Sequence, residues 1–252
     1  MTAVALSQRW VFSRMKLTAR NPRALVFTFA FPLILIVLFN ALNGNAEVQN
    51  LGQDVRFAQF YTPAIAIFSL VSACYTTLVM GLAYARDDGL LKRVRGTPLP
   101  MAIYLGAWVT SAIVVGCLAV LLLFVVAVPV FDVHVYTSKL PEAIASLLMG
   151  ALCLSALGVA VASLVKNAEQ AQPVVQLTFL PLSFISGIWF PLDNAPDWLV
   201  QVAHIFPLSH LVQSFSAAFT PGGGWEPGHL AVLALWTVGA LFVAVRRFRW
   251  EP

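Results

Sequence analysis

The sequence predicts an all-α integral membrane protein, because apolar residues dominate its composition and fall in runs of membrane-spanning length. Hydrophobic residues make up 60% of the 252 residues and charged residues only 10%, whereas a soluble domain carries about 25% charged residues. A run of about 20 apolar residues spans a bilayer. Six runs predict six transmembrane helices, at residues 24–43, 60–83, 102–128, 143–165, 172–190 and 229–246. They leave no room for a separate soluble domain, so we expect one transmembrane domain over residues 1–252.

The positions of the basic residues predict how these spans are oriented. With the N-terminus inside and the six spans alternating, only Arg56 and Lys139 of the 15 Lys and Arg residues lie outside. Basic residues concentrate on the cytoplasmic side of membrane proteins. Both termini are therefore expected in the cytoplasm, and the chain in the inner (cytoplasmic) membrane of a bacterium. Orientation and anionic headgroups account for the net charge of +4, so no nucleic-acid partner is expected.

Residues 3–20 are predicted to form an interfacial amphipathic helix before the first span. A basic amphipathic helix that contains Trp lies in the plane of the lipid headgroups. Its apolar face would carry Leu6, Trp10 and Leu17, and its polar face Arg9, Ser13, Lys16 and Arg20. Asn21 and Pro22 then suit the start of the first span, as its N-cap and its first helical residue.

Small residues recur along the second and fourth predicted spans. They are Ala73, Thr77, Gly81 and Ala85 in the second span, and Gly150, Ala151, Ser155, Ala156, Gly158, Ala160 and Ala162 in the fourth. Rows of small side chains let helices approach closely in lipid. Two interpretations stay open: the rows pack helices together within the chain, or they face a second subunit or a surface that moves.

The segment 187–228 is too apolar for a solvated loop but is interrupted by prolines. We expect one or two short re-entrant helices here, which enter the outer leaflet before the last span. Irregular backbone is tolerated at membrane depth only where protein or water shields it, so the segment should pack against the spans and line a cavity or an exit. Its characteristic residues are Gly187, Phe190, Pro191, Trp198, Pro207 and His210.

Several kinds of chemistry have no support in the sequence. It lacks the G-x-x-x-x-G-K-[ST] pattern of a phosphate-binding loop, and no carboxylate lies deep within a predicted span, as proton-coupled carriers usually need. Cys74, Cys117 and Cys153 have no metal-ligand spacing, so buried free thiols are expected and no cofactor on this chain. An integral membrane enzyme stays an alternative. Its candidate residues would be Asp193, Asp197, His204 and His210.

The charged stretch 86–100, between the second and third spans, is the most informative segment. Gly89 would end the second span. A short helix would follow and would end before Pro98, because the residue before a proline is pushed out of the helical region. Its apolar face would be Leu90, Leu91 and Val94, with Lys92, Arg93 and Arg95 elsewhere. A surface helix held between two spans transmits force, since it cannot move without moving both. An ordinary basic loop is the alternative.

Two parts of the chain resemble sequence signatures of the permeases of ABC-2 type transporters. Residues 84–100, YARDDGLLKRVRGTPLP, resemble the intracellular-loop signature of that family. The segments Ser186–Pro191, Pro196–Leu199 and Pro207–His210 resemble its second signature, and Arg20–Arg23 with Pro32 also fits. The resemblance covers nearly the whole chain, through its length, its predicted spans, the side of both termini and the order of the motifs.

This resemblance implies a coupling helix between the second and third spans that contacts a separate ATPase subunit. The residues that it assigns to ATPase coupling are Arg86, Asp87, Asp88, Gly89, Leu91, Arg93, Arg95, Thr97 and Pro98. It also implies an assembly of two permease subunits, identical or homologous, with two ATPase subunits that bind ATP and Mg²⁺. The missing phosphate-binding loop agrees with ATP binding on another chain. Membrane lipids are the remaining expected partners.

On this interpretation the chain is the permease subunit of an ABC exporter, with a substrate path between the first, second and fifth spans of two subunits. The polar residues that would line the path are Asn40, Asn43, Thr76, Thr77, Gln176 and Ser183. An apolar and aromatic lining favours an amphipathic substrate, a drug or a lipid. The alternative from another class is a six-span secondary carrier or channel without an ATPase. Such a carrier is expected to contain an internal repeat, and none is visible.

Overall fold

The structure is a computed structural model, and it describes residues 3–43, 47–50, 53–96, 100–192, 195–225 and 227–247. Helices dominate this part of the chain. Five are long and apolar enough to cross a membrane: Val26–Asn43, Phe57–Asp87, Met101–Phe131, Thr137–Leu164 and Pro227–Arg247. Their length and composition agree with the predicted multi-pass membrane protein.

These spans are assembled from helices that follow one another along the chain. Helix α2 (Pro22–Leu25) and a π-helical turn (Val26–Ala30) lead into α3 (Phe31–Asn43). The second span joins α4 (Phe57–Val71), another π-helical turn (Ser72–Thr76) and α5 (Thr77–Asp87). The other spans are α7 (Met101–Phe131), α8 (Leu140–Leu164, after a 3-10 turn at Thr137–Lys139) and α12 (Pro227–Arg247). The remaining helices are α1 (Ala3–Ala19), α6 (Leu90–Arg95), α9 (Ala168–Ile185), α10 (Asp197–Ala203) and α11 (Pro207–Ala217).

The prediction of six spans is not confirmed, because the fifth predicted span, 172–190, corresponds to α9. This helix has 18 residues and ends at Ile185, and it is not among the helices that are long and apolar enough to cross a membrane. Its first half carries Glu169 and three glutamines, Gln170, Gln172 and Gln176. These polar side chains lower the mean hydropathy of the helix, so length and composition alone do not identify α9 as a span.

A short β-ribbon accompanies the helices of this all-α fold. Glu47–Asn50 (β1) and Gln53–Arg56 (β2) form a two-stranded antiparallel ribbon, with Glu47 opposite Arg56. It lies between α3 and α4, in the connection between the first two predicted spans. Hydrogen bonding between the two strands satisfies backbone groups that a loop would leave to water. We call the side of the bundle that carries this ribbon the β-ribbon end, and the opposite side the α6 end.

The second span is the centre of the helical bundle. It is buried over most of its length, whereas most of the surface of α7 and α12 is not covered by the rest of the chain. Helix α4 packs on α3, α7 and α11, and α5 packs on α8 and α9. The fully buried side chains of the second span include Ile65, Ile67, Leu70, Leu78 and Leu82. The core of the protein therefore forms around α4 and α5.

Small residues bring α7 and α8 close to the second span. A β-carbon on Gly158 would lie 2.9 Å from Cδ2 of Leu78 and 3.1 Å from the main-chain oxygen of Cys74. A β-carbon on Gly116 would lie 2.8 Å from Cδ1 of Leu70. At these positions the small side chains pack helices together within one chain. This is the first of the two interpretations that the sequence left open.

Helix α1 forms where the sequence predicted it, but its packed face differs from the predicted one. Trp10 meets Tyr104 of α7 edge to face, with 5.8 Å between ring centroids. The guanidinium of Arg14 lies 3.1 Å above the ring centroid of Trp108, also on α7. Leu17, predicted to share a face with Trp10, is 56% exposed. Positions 10 and 14 are one helical turn apart, so a Trp–Arg pair joins α1 to α7.

A buried glutamine joins three segments at the β-ribbon end. The side-chain amide of Gln59 donates to the main-chain oxygens of His134, at 2.9 Å, and Phe219, at 2.6 Å. Its side-chain oxygen accepts from the main-chain N–H of His134 at 2.7 Å. Nearby, Arg56 and Asp132 form an exposed ion pair of 3.0 Å. Gln59 thus fixes the start of α4 to the α7–α8 connection and to the residues after α11.

Candidate functional site at the α5–α6 corner

The predicted short helix between the second and third spans is present as α6. Helix α5 ends at Asp87, and Gly89 follows with a φ of +67°. This left-handed conformation carries little steric cost only for glycine. The main-chain N–H of Arg93 then donates to the oxygen of Gly89 at 3.2 Å, which starts α6. Only Asp88 and Gly89 separate α5 from α6, so we expect a displacement of α6 to move the end of α5.

Helix α6 lies against the bundle through its apolar side chains. Val94 is buried and Leu90 packs on the core, whereas Arg93 is exposed. The predicted apolar face is thus confirmed for Leu90 and Val94. The side chains of Leu91, Lys92 and Arg95, and all of Thr97 and Pro98, lie outside the described residues. Among the predicted coupling residues of α6, Arg93 is the one that the described part places in contact with solvent.

Arg86 turns inward, toward the end of a different span. Its Nη1 donates to the main-chain oxygen of Val165, and its Nη2 donates to that of Ala162 at 3.2 Å. Both carbonyls belong to the C-terminal end of α8. The last carbonyls of a helix have no partner within it, and a cation is favourable at this negative end of the helix dipole.

Asp87, the next residue, contacts the start of α9. Its Oδ2 accepts from the main-chain N–H of Ala168 at 2.8 Å. The first N–H groups of a helix lack partners within it, and an anion is favourable there. Oδ1 of Asn167 caps the same helix by accepting from the N–H of Gln170 at 2.9 Å. The N–H of Lys166 donates back to the side-chain oxygen of Gln170 at 3.3 Å.

Two adjacent residues of α5 therefore hold the turn between α8 and α9. Arg86 satisfies carbonyls at the end of α8, and Asp87 satisfies an amide at the beginning of α9. We call this pair the Arg86–Asp87 clamp, and residues 165–167 the α8–α9 turn. Asp88, the third charged residue in the row, is exposed and is the C-cap that follows α5. The sequence analysis assigned all three residues to a partner and did not predict the contacts of the first two within the chain.

Comparison with known proteins identifies the family to which this chain belongs. Residues 46–245 match the model of the ABC-2 family transporter proteins. The chain belongs to the ABC-2 family of transporters. It is 24% identical to the putative transport permease YvfS of Bacillus subtilis over 242 residues, 96% of this chain and 95% of the relative. It is 22% identical to the inner membrane transport permease YadH of Escherichia coli K12, covering 86% of this chain and 83% of the relative.

A third relative matches a shorter part. Nodulation protein J of Sinorhizobium fredii is 34% identical over 73 residues, 28% of either chain. The predicted family resemblance is thus confirmed. The chain is an ABC-2 transport permease, a membrane permease of an ABC transporter. Permeases of this family generally work with an ATPase partner.

The first, second and fifth predicted spans of this ABC-2 permease meet through aromatic side chains. Trp189, just after α9, contacts Phe39 of α3 at 6.2 Å and Phe68 of α4 at 5.5 Å between ring centroids. The hydroxyl of Tyr61 donates to the main-chain oxygen of Trp189 at 2.8 Å, and Nε1 of Trp189 donates to Oγ of Ser183 at 3.1 Å. We call these residues the Trp189 cluster.

The six predicted path residues have different surroundings. Asn40 is buried and donates to the main-chain oxygen of Ile36 at 2.8 Å, and exposed Asn43 does the same to that of Phe39 at 2.8 Å. Ser183 is buried within the Trp189 cluster. The others are partly or fully exposed: Thr76, Thr77 and Gln176. Their role in a path stays a prediction, and three of them have hydrogen-bond partners within the chain.

The predicted short helices before the last span are present as α10 and α11. Gly187 turns the chain after α9 with a φ of +89°, and Pro207 starts α11. Helix α11 packs on α8 so closely that a β-carbon on Gly150 would collide with Leu211. Phe190 and Trp198 are 62% and 64% exposed, and Pro191 is partly buried between them in sequence. Helix α11 thus packs against the spans as predicted, whereas the entry of this segment into the outer leaflet stays a prediction.

His210 is a structural residue of this region. It is buried, its Nε2 donates to the main-chain oxygen of His204 at 2.8 Å, and its Nδ1 lies 2.7 Å from Nδ1 of His229. Within the described ranges no group of three His, Cys, Asp or Glu residues could hold a metal ion. Asp193, part of the alternative enzyme site, lies outside those ranges. The three cysteines are free; Cys74 and Cys153 are buried, as predicted, and Cys117 is half-buried.

Proposed function

We propose that this ABC-2 permease is the membrane subunit of an ATP-driven exporter that moves an amphipathic drug or lipid outward across the cytoplasmic membrane. Two permease subunits, identical or homologous, would pair with two copies of a separate ATPase chain that binds ATP and Mg²⁺. One observation carries this proposal. The short helix α6 lies between the second span and α7, and a two-residue turn joins it to the end of the second span. Its apolar side chains pack on the bundle and its Arg93 is exposed.

The position of α6 suits the transfer of motion from a soluble partner. Val94 and Leu90 hold one side of the helix against the bundle, which leaves Arg93 on the other side for a partner. Helix α5 continues into the most buried span of the protein. Protein interiors are close-packed and transmit displacement, so a push on α6 would reach the centre of the bundle. Two conformations of the permease would then differ in their contacts with the ATPase, as coupling requires.

The orientation follows from the charges. Arg86, Lys92, Arg93 and Arg95 cluster at the α6 end, and Arg246 and Arg247 close the last span. Basic residues favour the cytoplasmic side, which would put α6 and both termini in the cytoplasm with the ATPase. The relative YadH is named an inner membrane transport permease, in agreement with this location.

The surface around the Trp189 cluster supports an amphipathic substrate. Helix α3 exposes apolar side chains at Ile34, Val37 and Leu38, and α9 exposes Leu177, Leu180 and Phe184. These helices flank the central span on the side where the path was predicted. A path between two subunits at this face would be lined mainly by aliphatic and aromatic groups. Apolar pockets with a few polar groups are typical of sites for drug-sized ligands.

The proposal is tested by ATP-dependent transport with an altered α6. The permease and its ATPase are reconstituted in proteoliposomes, and uptake of a fluorescent phospholipid analogue and of a cationic dye into inside-out vesicles is followed. Arg93→Ala should strongly reduce ATP-dependent movement of whichever probe is transported. Arg247→Ala is the matched control, because Arg247 is exposed at the end of α12 and has no predicted role in coupling. Transport that continues without the ATPase, or with Arg93→Ala at the wild-type rate, would contradict the proposal.

A further inference from the structure

We propose that the Arg86–Asp87 clamp carries the motion of α6 into α8 and α9, and that these two residues act inside the permease rather than by docking the ATPase. This inference rests on the proposed function, because it needs a partner that moves α6. Arg86 and Asp87 are positioning residues in this account. They keep the α8–α9 turn attached to the end of α5 while the corner moves.

The contacts of the clamp occupy both terminal nitrogens of Arg86 and one carboxylate oxygen of Asp87, which is an exposed residue. Both terminal nitrogens of Arg86 donate to main-chain oxygens of residues 162 and 165, and Oδ2 of Asp87 accepts from the N–H of Ala168. Ala162, Val165 and Ala168 are themselves buried. Charged hydrogen-bond partners are stronger than neutral ones, and a lost partner leaves a buried backbone group unsatisfied. The clamp is therefore expected to move as a unit instead of opening.

The clamp is continuous with close packing along the same helices. The hydroxyl of Tyr75, in the π-helical turn of the second span, lies 2.5 Å from Oγ1 of Thr178 in α9. Gly158 of α8 leaves room for Leu78 and for the main-chain oxygen of Cys74. The second span thus contacts α9 at two places, Asp87 and Tyr75. It also contacts α8 at two places, at Arg86 and beside Gly158. Motion that enters at α6 would displace α5, α8 and α9 together.

The route ends at the predicted substrate path. Helix α9 leads directly into the Trp189 cluster, through Ser183 and Trp189. A displacement of the α8–α9 turn would change how α9 presents Leu177, Leu180 and Phe184 at the face where the path is proposed. Allosteric motion often takes the form of such shifts of packed helices. The clamp therefore connects the ATPase side of the permease with the surface that meets the substrate.

Asp87→Asn separates the clamp from a docking role. An asparagine side chain keeps an oxygen that accepts from the N–H of Ala168 but has no charge. The clamp account predicts that Asp87→Asn retains most coupling and that Asp87→Ala loses it. A salt bridge to the ATPase would make the two variants equally defective. Glu169→Ala is the matched control, since Glu169 is an exposed carboxylate in the first turn of α9, the helix that Asp87 contacts.

The experiment measures partner binding and movement on the same sample. The permease–ATPase complex in nanodiscs carries spin labels at positions 166 and 247, which are exposed, with Cys74, Cys117 and Cys153 replaced. The Lys166–Arg247 label distance is measured with and without ATP and vanadate, and the ATPase copies per permease are counted. In the otherwise unmodified complex, and with Glu169→Ala or Asp87→Asn, the distance should change on trapping. With Asp87→Ala the ATPase should stay bound and the distance change should be lost.

Each other result would overturn a different part of the account. Loss of the bound ATPase from Asp87→Ala would make Asp87 a docking residue, and a retained distance change would show that the clamp transmits nothing. A complex without any ATPase before the clamp is altered would overturn the proposed function itself. Should Asp87→Ala not fold, Arg86→Lys replaces it, because lysine keeps the charge but lacks the two-pronged reach of Arg86. It should reduce the distance change, and a full change with it would also overturn the clamp.

Discussion

The close approach of α8 to the second span predicts that Gly158→Ala destabilises the protein. The added β-carbon would lie 2.9 Å from Cδ2 of Leu78, 3.1 Å from the main-chain oxygen of Cys74 and 3.5 Å from Cα of Tyr75. Ordinary van der Waals contacts begin at about 3.4 Å. Leu78 can rotate away, but the oxygen of Cys74 belongs to the backbone of the π-helical turn. The two helices must therefore move apart.

The size of the effect follows from two opposing contributions. Overpacking of a close-packed core costs about 1–3 kcal/mol. Replacing glycine by alanine within a helix returns up to about 1 kcal/mol of helix propensity. Gly239→Ala isolates the second contribution, because no atom lies within 4 Å of a β-carbon on Gly239. One kcal/mol corresponds to about 2–4 °C in a domain of this size, so Gly158→Ala should melt about 2–12 °C below Gly239→Ala.

Thermal unfolding in detergent, followed by tryptophan fluorescence, measures this difference. Both variants are purified in the same detergent and at the same protein concentration, with the wild type as reference. The expected order of melting temperatures is Gly239→Ala at or above the wild type, and Gly158→Ala clearly below it. Equal melting temperatures for the two variants would refute the reasoning. The row of small residues on α8 would then face something other than the second span.

Three further predictions use the same unfolding assay. Gln59→Leu removes three hydrogen bonds and should lower the melting temperature by at least about 2 °C, because an unsatisfied buried group costs about 1–3 kcal/mol. Equal stability would show that water replaces the amide. Asn167→Ala removes the N-cap of α9 and should cost about 0.5–2 kcal/mol, and Asn167→Asp should not. Arg14→Ala removes the contact with Trp108 and should cost about 0.5–2 kcal/mol. Burial lowers the pKa of Arg14 to about 10. Below about pH 10 the guanidinium is charged in both the folded and the unfolded state, so the loss on Arg14→Ala should be equal at about pH 6 and pH 9. Above about pH 10 the folded state loses this proton before the unfolded state does, so the free energy of unfolding of the wild type should rise with pH.

Local signals in the sequence predicted the α5–α6 corner well. A glycine after a charged pair marked the end of the second span, and apolar residues at Leu90 and Val94 marked the buried side of α6. Glycine conformation and helical periodicity are properties of neighbouring residues. The prolines of segment 187–228 similarly predicted short helices before the last span. These features needed no knowledge of distant contacts.

The fifth predicted span was not confirmed, for a reason that is also local. Residues 172–190 look apolar on average, but Gln172 and Gln176 shorten the continuous apolar stretch. The turn at Ser186 and Gly187 then ends the helix before the predicted boundary. Counting hydrophobic residues over a window did not separate these two parts. The π-helical turns and the β-ribbon were missed as well, because no composition signal marks them.

Contacts between residues far apart in the sequence could not be predicted. The Arg86–Asp87 clamp joins positions about 80 residues apart. Gln59 contacts His134 and Phe219, which are 75 and 160 residues away. Such pairings depend on which helix ends meet at one side of the bundle. The start of α9, beside the clamp, did leave a signal in the sequence. The spacing of Asn167 and Gln170 is that of a capping pair at a helix start, which places the start of α9 correctly.

Co-purification tests the central claim, that α6 connects this permease to a separate ATPase, most directly. The tagged chain is extracted from its own host into nanodiscs, and the accompanying polypeptides are identified and counted by mass spectrometry. We predict a stoichiometric soluble subunit with a phosphate-binding loop, which is lost when α6 (Leu90–Arg95) is altered. A chain that purifies alone or only with copies of itself, and that transports without ATP, would contradict the account.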